Sequence, residues 1–331
     1  MHLTMIIPYN WLLILILINL VSFIIYFKTA KKFGFVDNSK KFKNPKTVTS
    51  AGLVIYLNFC ISFIGVLIID EKNIINFPNN YLYSFISLST LVFISALDDK
   101  NPIDPKIRLF FQLVCIYISL TSISLYELNI PLKVSIGICL LIWVYILNIT
   151  NFTDGSDGFL VTNSIFVFSN IILLNYLNEI NIFSNYLGII ILPSLFIFLF
   201  FNKPTAKMYL GDSGSILIGY LNGFLFLELL ILYKFNLAIS LLIYPIIDCT
   251  IALIKKTFAG KLPWTDTSNY SFLQPTIKKN QNKYFVFYIN LLFNLLNSLL
   301  IFVQIKFGWY YIFINVILTL ITMKIYEKKI N

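Results

Sequence analysis

Histidine occurs once in these 331 residues, at His2, and arginine once, at Arg108. No inner loop therefore has a histidine to serve as general base, metal ligand or triad member. Acids are also scarce, with 15 Asp and Glu against 25 Lys and Arg, and all charged residues make up 12% of the chain. The four cysteines, Cys60, Cys115, Cys139 and Cys249, lie within apolar runs. Their separations match neither a disulfide framework nor a metal-binding spacing. Carboxylates, lysines and a metal ion remain as the available chemistry.

What the chain has instead is apolar length. Hydrophobic residues make up 58% of it and the mean hydropathy is +0.81, which excludes a soluble globule of this size. Eleven runs are long enough to cross a hydrocarbon layer of about 30 Å. They lie near 9–27, 51–69, 81–97, 109–126, 131–148, 158–176, 184–201, 213–233, 236–254, 284–304 and 308–323. The expected fold is therefore an all-α, polytopic integral membrane protein with about eleven transmembrane helices and one domain over 1–331. Met1–Ile25 lacks an early basic residue and a small-residue cleavage site, and reads as a retained first span rather than a signal peptide.

Basic residues orient the spans. With the N-terminus outside, the segments 28–50, 98–108, 148–158, 202–212 and 255–283 and the tail after Met323 face inward and hold 21 of the 25 Lys and Arg. Only Lys72, Lys133, Lys234 and Lys306 lie outside. Such a bias places the inner segments in the cytoplasm. The net charge of +10 thus reflects topology, and no soluble basic domain exists to bind nucleic acid. Basic inner rims also attract anionic lipid head groups.

The acids gather on that same face. Asp98, Asp99, Asp154, Asp157 and Asp212 all stand at span ends, where loops distant in sequence can converge. A transporter would place its ionisable groups nearer the midplane, and only Asp248 looks deep enough for that. Asn148–Phe159 reads N-I-T-N-F-T-D-G-S-D-G-F, with amides and carboxylates three residues apart and glycines beside the acids. That pattern suits a hydrated divalent cation or the hydroxyls and phosphates of a nucleotide. Leu97–Arg108 reads L-D-D-K-N-P-I-D-P-K-I-R, and its adjacent acids cannot both point one way from a helix. Its bland alternative is a solvated loop. Tyr209–Ser215 reads Y-L-G-D-S-G-S, in which Asp212 alone would pass for a helix cap. Lys40–Gly52 is a basic loop whose lysines are mostly explained by orientation.

Taken in order, the D-D pair, N-x-x-N-F-x-D-G-x-D-G and M-Y-L-G-D-S-G-S resemble the polyprenyl-phosphate N-acetylhexosamine-1-phosphate transferases from about Val36 to Lys283. The resemblance implies transfer of a sugar 1-phosphate from a UDP-N-acetylhexosamine-type donor to a polyprenyl phosphate, with UMP released and Mg2+ or Mn2+ as cofactor. It implies Asp212 as a metal ligand with Asp154 as a helper, and Asp98 and Asp99 as the catalytic pair with Asp212. Asn148, Asn151, Asp154 and Asp157 would contact the nucleotide sugar, Tyr209 would stack on uracil, and Lys46 would match a basic position of K-T-V-T-S-A-G. The expected setting is the bacterial cytoplasmic membrane with the site facing the cytoplasm, membrane lipid as a partner, and a homodimer as a candidate assembly.

One departure stands out. The family's last inner loop carries histidines, whereas Gly260–Pro275 here reads G-K-L-P-W-T-D-T-S-N-Y-S-F-L-Q-P. Either Lys261, Asn269, Tyr270 or Ser271 replaces a histidine that holds pyrophosphate, or the chain is an inactive paralogue. A polytopic transporter or lipid-carrier permease is the other alternative. Histidine is not chemically required for transfer, because the attacking lipid phosphate is already anionic and the harder task is bringing two anions together.

Overall fold

The structure, a computed structural model, describes residues 9–36, 47–69, 79–262, 269–277 and 283–328. Within a bilayer, backbone N–H and C=O groups find partners only in one another, so uninterrupted apolar runs become helices. Twelve helices of seven residues or more follow among the described residues. They are α1 (Tyr9–Thr29), α2 (Gly52–Ile69), α3 (Asn79–Lys100), α4 (Pro105–Ser119), α5 (Leu132–Phe152), α6 (Phe159–Tyr176), α7 (Ser184–Asn202), α8 (Asp212–Ile231), α9 (Phe235–Leu241), α10 (Ile243–Phe258), α11 (Lys283–Phe307) and α12 (Ile312–Glu327). Among the described residues, extended pairing is confined to two isolated bridges, Val36 with Val48 and Val48 with Met208. The chain is an all-helical polytopic membrane protein.

Eight of these helices are long and apolar enough to span a membrane, and α9 with α10 makes a ninth if the bent pair is one span. Of the eleven expected spans, 109–126 falls short as the 15-residue α4, whereas the expected span 51–69 is the uncharged 18-residue α2. The run 236–254, expected as one span, is broken into two helices that meet at a 77° bend. Pro245 sits in the first turn of α10. Its nitrogen cannot donate back to Leu241, so α9 stops and a new helix starts.

Helix α8 is almost wholly buried and forms the axis of the packing. A Cβ on Gly223 would fall 2.0 Å from Trp143 Cδ1, so glycine there lets α5 lie against α8. Trp143 Nε1 donates to Tyr220 O at 3.0 Å, and Tyr220 OH donates to Ser119 Oγ at 2.7 Å and Ser84 O at 2.9 Å. One tyrosine thereby ties α8 to α3 and α4. Asparagines supply the seam between α6 and α11, where Asn294 Nδ2 donates to Asn163 Oδ1 at 2.7 Å and Asn290 Nδ2 to Phe159 O at 3.1 Å. Interhelical polar bonds of this kind are the expected glue where lipid removes the hydrophobic drive between helices.

The site is positioned by a backbone zipper between two loops. Tyr209 N donates to Val48 O at 2.7 Å, Ala51 N to Tyr209 O at 3.2 Å, and Gly52 N to Leu210 O at 2.9 Å. Tyr26 OH holds the same strand from α1 through Thr49 O at 2.7 Å. The starts of α2 and α8 are therefore fixed side by side.

Candidate active site

Three helix ends meet around a cavity of about 460 Å³. Asp98 and Asp99 come from the last turn of α3, Asp154 and Asp157 from the α5–α6 turn, and Tyr209 and Asp212 from the start of α8; all six border the cavity. Loops more than a hundred residues apart thus converge on one face, as their common placement at span ends predicted.

The adjacent acids of α3 part company as their helical spacing requires. Asp98 Oδ1 accepts Ile103 N at 2.6 Å and Oδ2 accepts Arg108 Nη1 at 2.5 Å. Asp99 turns to α8, accepting Asp212 N at 2.7 Å, Ser213 Oγ at 3.0 Å and Ser213 N at 3.3 Å. The cap of α8 is therefore supplied by Asp99 from another helix, and the Asp212 carboxylate is left for other work. Gly211 makes this possible, since its φ of +77° suits glycine and a Cβ there would fall 2.7 Å from Asp99 Oδ2. Asp212 Oδ2 accepts the same Arg108 Nη1 at 2.6 Å.

The motif over Asn148–Phe159 divides at the end of α5. Asn148 and Asn151 lie on the helix and brace it: Asn148 Nδ2 donates to Gln112 Oε1 at 2.8 Å, and Ser215 Oγ donates to Asn151 Oδ1 at 2.5 Å. Neither borders the cavity. Asp154 and Asp157 lie past the helix end and do. Asp157 is only 4% exposed and is committed to Lys283 Nζ at 2.9 Å and to Ala206 N at 3.0 Å. Asp154 accepts no hydrogen bond among the described residues. Burial, followed by the negative charges of Asp212, Asp99 and Asp157, raises its proton affinity well above that of an ordinary aspartate.

Lys46 lies outside the described residues, as do 263–268 of the histidine-free loop. The rest of that loop is docked on α10. Ser271 N donates to Asp248 Oδ1 at 3.0 Å and Oδ2 at 3.2 Å, and the Phe272 ring stacks on Phe159 with centroids 4.4 Å apart. Lys256 Nζ sits 4.8 Å from the Tyr270 ring centre. Tyr270 and Ser271, expected as stand-ins for histidine, are buried in this anchor and do not border the cavity. Asp248, the one acid deep enough for a transport role, is likewise spent on the loop.

Arg108, Lys283 and Asn202 were not among the expected site residues. Asn202 Oδ1 accepts Gly158 N at 3.0 Å while its Nδ2 donates to Met208 O at 3.0 Å, joining two site loops. Arg108 alone carried a usable signal, being the only arginine and lying in the D-D stretch.

Residues 81–230 match the family model described as glycosyl transferase family 4. The chain is 30% identical over 181 residues to a probable undecaprenyl-phosphate N-acetylglucosaminyl 1-phosphate transferase of Bacillus subtilis, covering 50% of each protein. It is 30% identical over 159 residues to a phospho-N-acetylmuramoyl-pentapeptide-transferase of Aliarcobacter butzleri, covering 40% of this chain and 45% of that one. Against the enzyme of that same name from Rickettsia africae it is 27% identical over 207 residues, covering 52% and 56%. The chain thus spans about half the length of the curated relatives it matches. The cavity-lining residues Asp98, Asp99, Asp154, Asp157, Tyr209 and Asp212 all fall within the segment that is similar to glycosyl transferase family 4.

Proposed function

We propose that the protein transfers an N-acetylhexosamine 1-phosphate from a UDP-sugar to a polyprenyl phosphate, releasing UMP and starting a cell-envelope polysaccharide. The observation that carries this reading is the convergence of Asp98, Asp99, Asp154 and Asp212 with Tyr209 on one cavity at the ends of membrane-spanning helices. The name of the B. subtilis relative supports a sugar 1-phosphate transferase with undecaprenyl phosphate as acceptor, and that of the A. butzleri relative supports transfer of a phosphosugar. The lysine bias supports a cavity open to the cytoplasm, and bacterial relatives support the cytoplasmic membrane.

In the transfer, an acceptor phosphate oxygen bonds to the phosphorus that carries the sugar, and the bond from that phosphorus to the UMP phosphate oxygen breaks. The acceptor is already an anion, so no strong base is needed, and charge neutralisation is the main demand. Lys100 borders the cavity and supplies one cation there. Asp98, held by Arg108 and Ile103 N, is fixed at the cavity wall. Asp99 serves by positioning the first turn of α8. Tyr209 offers a ring for the uracil.

A divalent cation fits Asp154 and Asp212. Among the described residues Asp154 is a carboxylate with no donor beside three other acids, and the one hydrogen bond accepted by the Asp212 carboxylate uses Oδ2. Among the described residues no group of three His, Cys, Asp or Glu side chains forms a complete metal cage. Mg2+ ordinarily needs only one or two carboxylates, completing its shell with water and substrate phosphates. When bound, it would offset pyrophosphate charge and stabilise the departing UMP. Asp212→Asn should abolish UMP release while the protein remains membrane-inserted; retained turnover would remove Asp212 from this role.

A further inference from the structure

Lys100 stands beside acids yet pairs with none of them. It follows Asp98 and Asp99 at the last position of α3 and borders the cavity with both. Successive helix positions do not face one another, and among the described residues Lys100 forms no ion pair. Its ammonium lies instead over the Phe35 ring, with Nζ 4.3 Å from the ring centre. At that distance the ring face attracts the charge without neutralising it. A carboxylate in the same place would cancel the charge, whereas a ring leaves it to act on an anion.

The ring is held independently of the lysine. Phe35 follows Gly34, whose φ of +79° ends the short helical turn Ala30–Phe33. Phe35 N donates to Ala30 O at 3.0 Å and Gly34 N to Lys31 O at 3.4 Å, the paired bonds of a Schellman stop. On its other side Phe35 O accepts Thr49 N at 3.2 Å, and the ring leans on Tyr26 with centroids 6.1 Å apart. Tyr26 OH in turn donates to Thr49 O. Gly34, Val36 and Thr49 border the cavity, but Phe35 itself does not. The ring is thus fastened to the loop zipper that sets α2 beside α8, at the rim where Lys100 rests. We infer that Phe35 is a positioning residue that holds Lys100 as an uncommitted cation at the cavity rim, available to a phosphate of the nucleotide-sugar donor. The inference rests on the transferase reading and adds to it a side chain that sets where one charge stands.

The test is donor kinetics on the full chain in lipid, read by UMP release. Phe35→Leu keeps the apolar bulk and removes the ring face. It should raise KM for the UDP-N-acetylhexosamine by about threefold, the size of one partly exposed cation–π contact. Phe35→Tyr and Phe35→Trp keep a ring and should hold KM near the wild-type value. In a Lys100→Met background Phe35→Leu should add no further rise, because no charge is left to place. A KM unchanged by Phe35→Leu, or a rise of equal size in both backgrounds, overturns the inference and leaves the transferase reading standing. Competition separates phosphate from base: UDP should inhibit Phe35→Leu more weakly than wild type, while uridine inhibits both alike. Uridine weakened as much as UDP overturns the assignment to a phosphate. A wild type that releases no UMP overturns the transferase reading and the inference with it.

Discussion

Arg108 Nη1 lies 2.6 Å from Asp212 Oδ2, across 104 residues of sequence, and the same nitrogen lies 2.5 Å from Asp98 Oδ2. One cation therefore fastens the end of α3 and the start of α8 to the first turn of α4. Arg108→Met removes it and leaves two carboxylates facing each other. Loss of a charged hydrogen-bonded partner costs about 1.5–3 kcal/mol, and some of that is relieved by solvent at this partly exposed site. The expected outcome is a lower thermal unfolding midpoint in detergent, with Arg108→Lys recovering most of it. An unchanged midpoint for Arg108→Met would show that the bridge adds nothing to stability.

Gly211→Ala strikes the α8 cap. The backbone at Gly211, with φ +77° and ψ 168°, is almost exclusive to glycine and costs another residue about 1–3 kcal/mol. The new Cβ would also fall 2.7 Å from Asp99 Oδ2 and 2.9 Å from Ser50 Cα. Asp99 then has to release Asp212 N, and the aspartate pair loses its spacing. The variant should insert into the membrane at normal levels and lose more than about tenfold of its turnover in a UMP-release assay, the scale expected when reacting groups are misplaced by an ångström.

The carboxylates and their placement at span ends were legible because acids are rare here and costly near lipid. The division of Asn148–Phe159 was not. Its three-residue spacing runs evenly through two amides and two acids, but α5 ends at Phe152. The amides remain on a helix and pack against Gln112 and Ser215, whereas the acids lie in the turn beyond and border the cavity. The bend at Leu242 escaped because hydropathy is continuous across 236–254; Pro245 was the signal, visible only to a reading of backbone donors. Asp99 as the cap of α8 needed the fold, since nothing in the sequence links a helix end at 99 to a helix start at 212.

Asp154 predicts a pH dependence. Its folded-state proton affinity is raised by burial and by neighbouring acids, so it stays protonated at pH values where an ordinary aspartate is ionised. A cation binds the ionised form. Mn2+ affinity should therefore climb as pH rises towards and through the raised pKa and level off above it, with a proton released on binding. Calorimetry in two buffers of different ionisation enthalpy reads that proton. Asp154→Asn should remove both the proton release and the pH slope; a slope that persists would assign it to another group.

Lys283 and Asp157 form a pair whose acid is 4% exposed and whose lysine is 34% exposed. Lys283→Met leaves a buried carboxylate with only Ala206 N as donor among the described residues, at a cost of about 1–3 kcal/mol after allowance for the open side of the pair. The double variant Asp157→Asn with Lys283→Met removes both charges and should be less destabilised than Lys283→Met alone. A double-mutant cycle on thermal unfolding measures the coupling; additive losses would mean the two side chains are not coupled.

UMP release from purified protein in lipid, over a panel of UDP-N-acetylhexosamines, decides whether the protein is a transferase. Release should need a UDP-sugar, a polyprenyl phosphate and Mg2+ or Mn2+ together, with formation of a lipid-linked sugar diphosphate and loss of both products in Asp212→Asn. Substrate movement across the membrane without nucleotide release, or UMP release that proceeds without the lipid acceptor, would contradict the transferase reading.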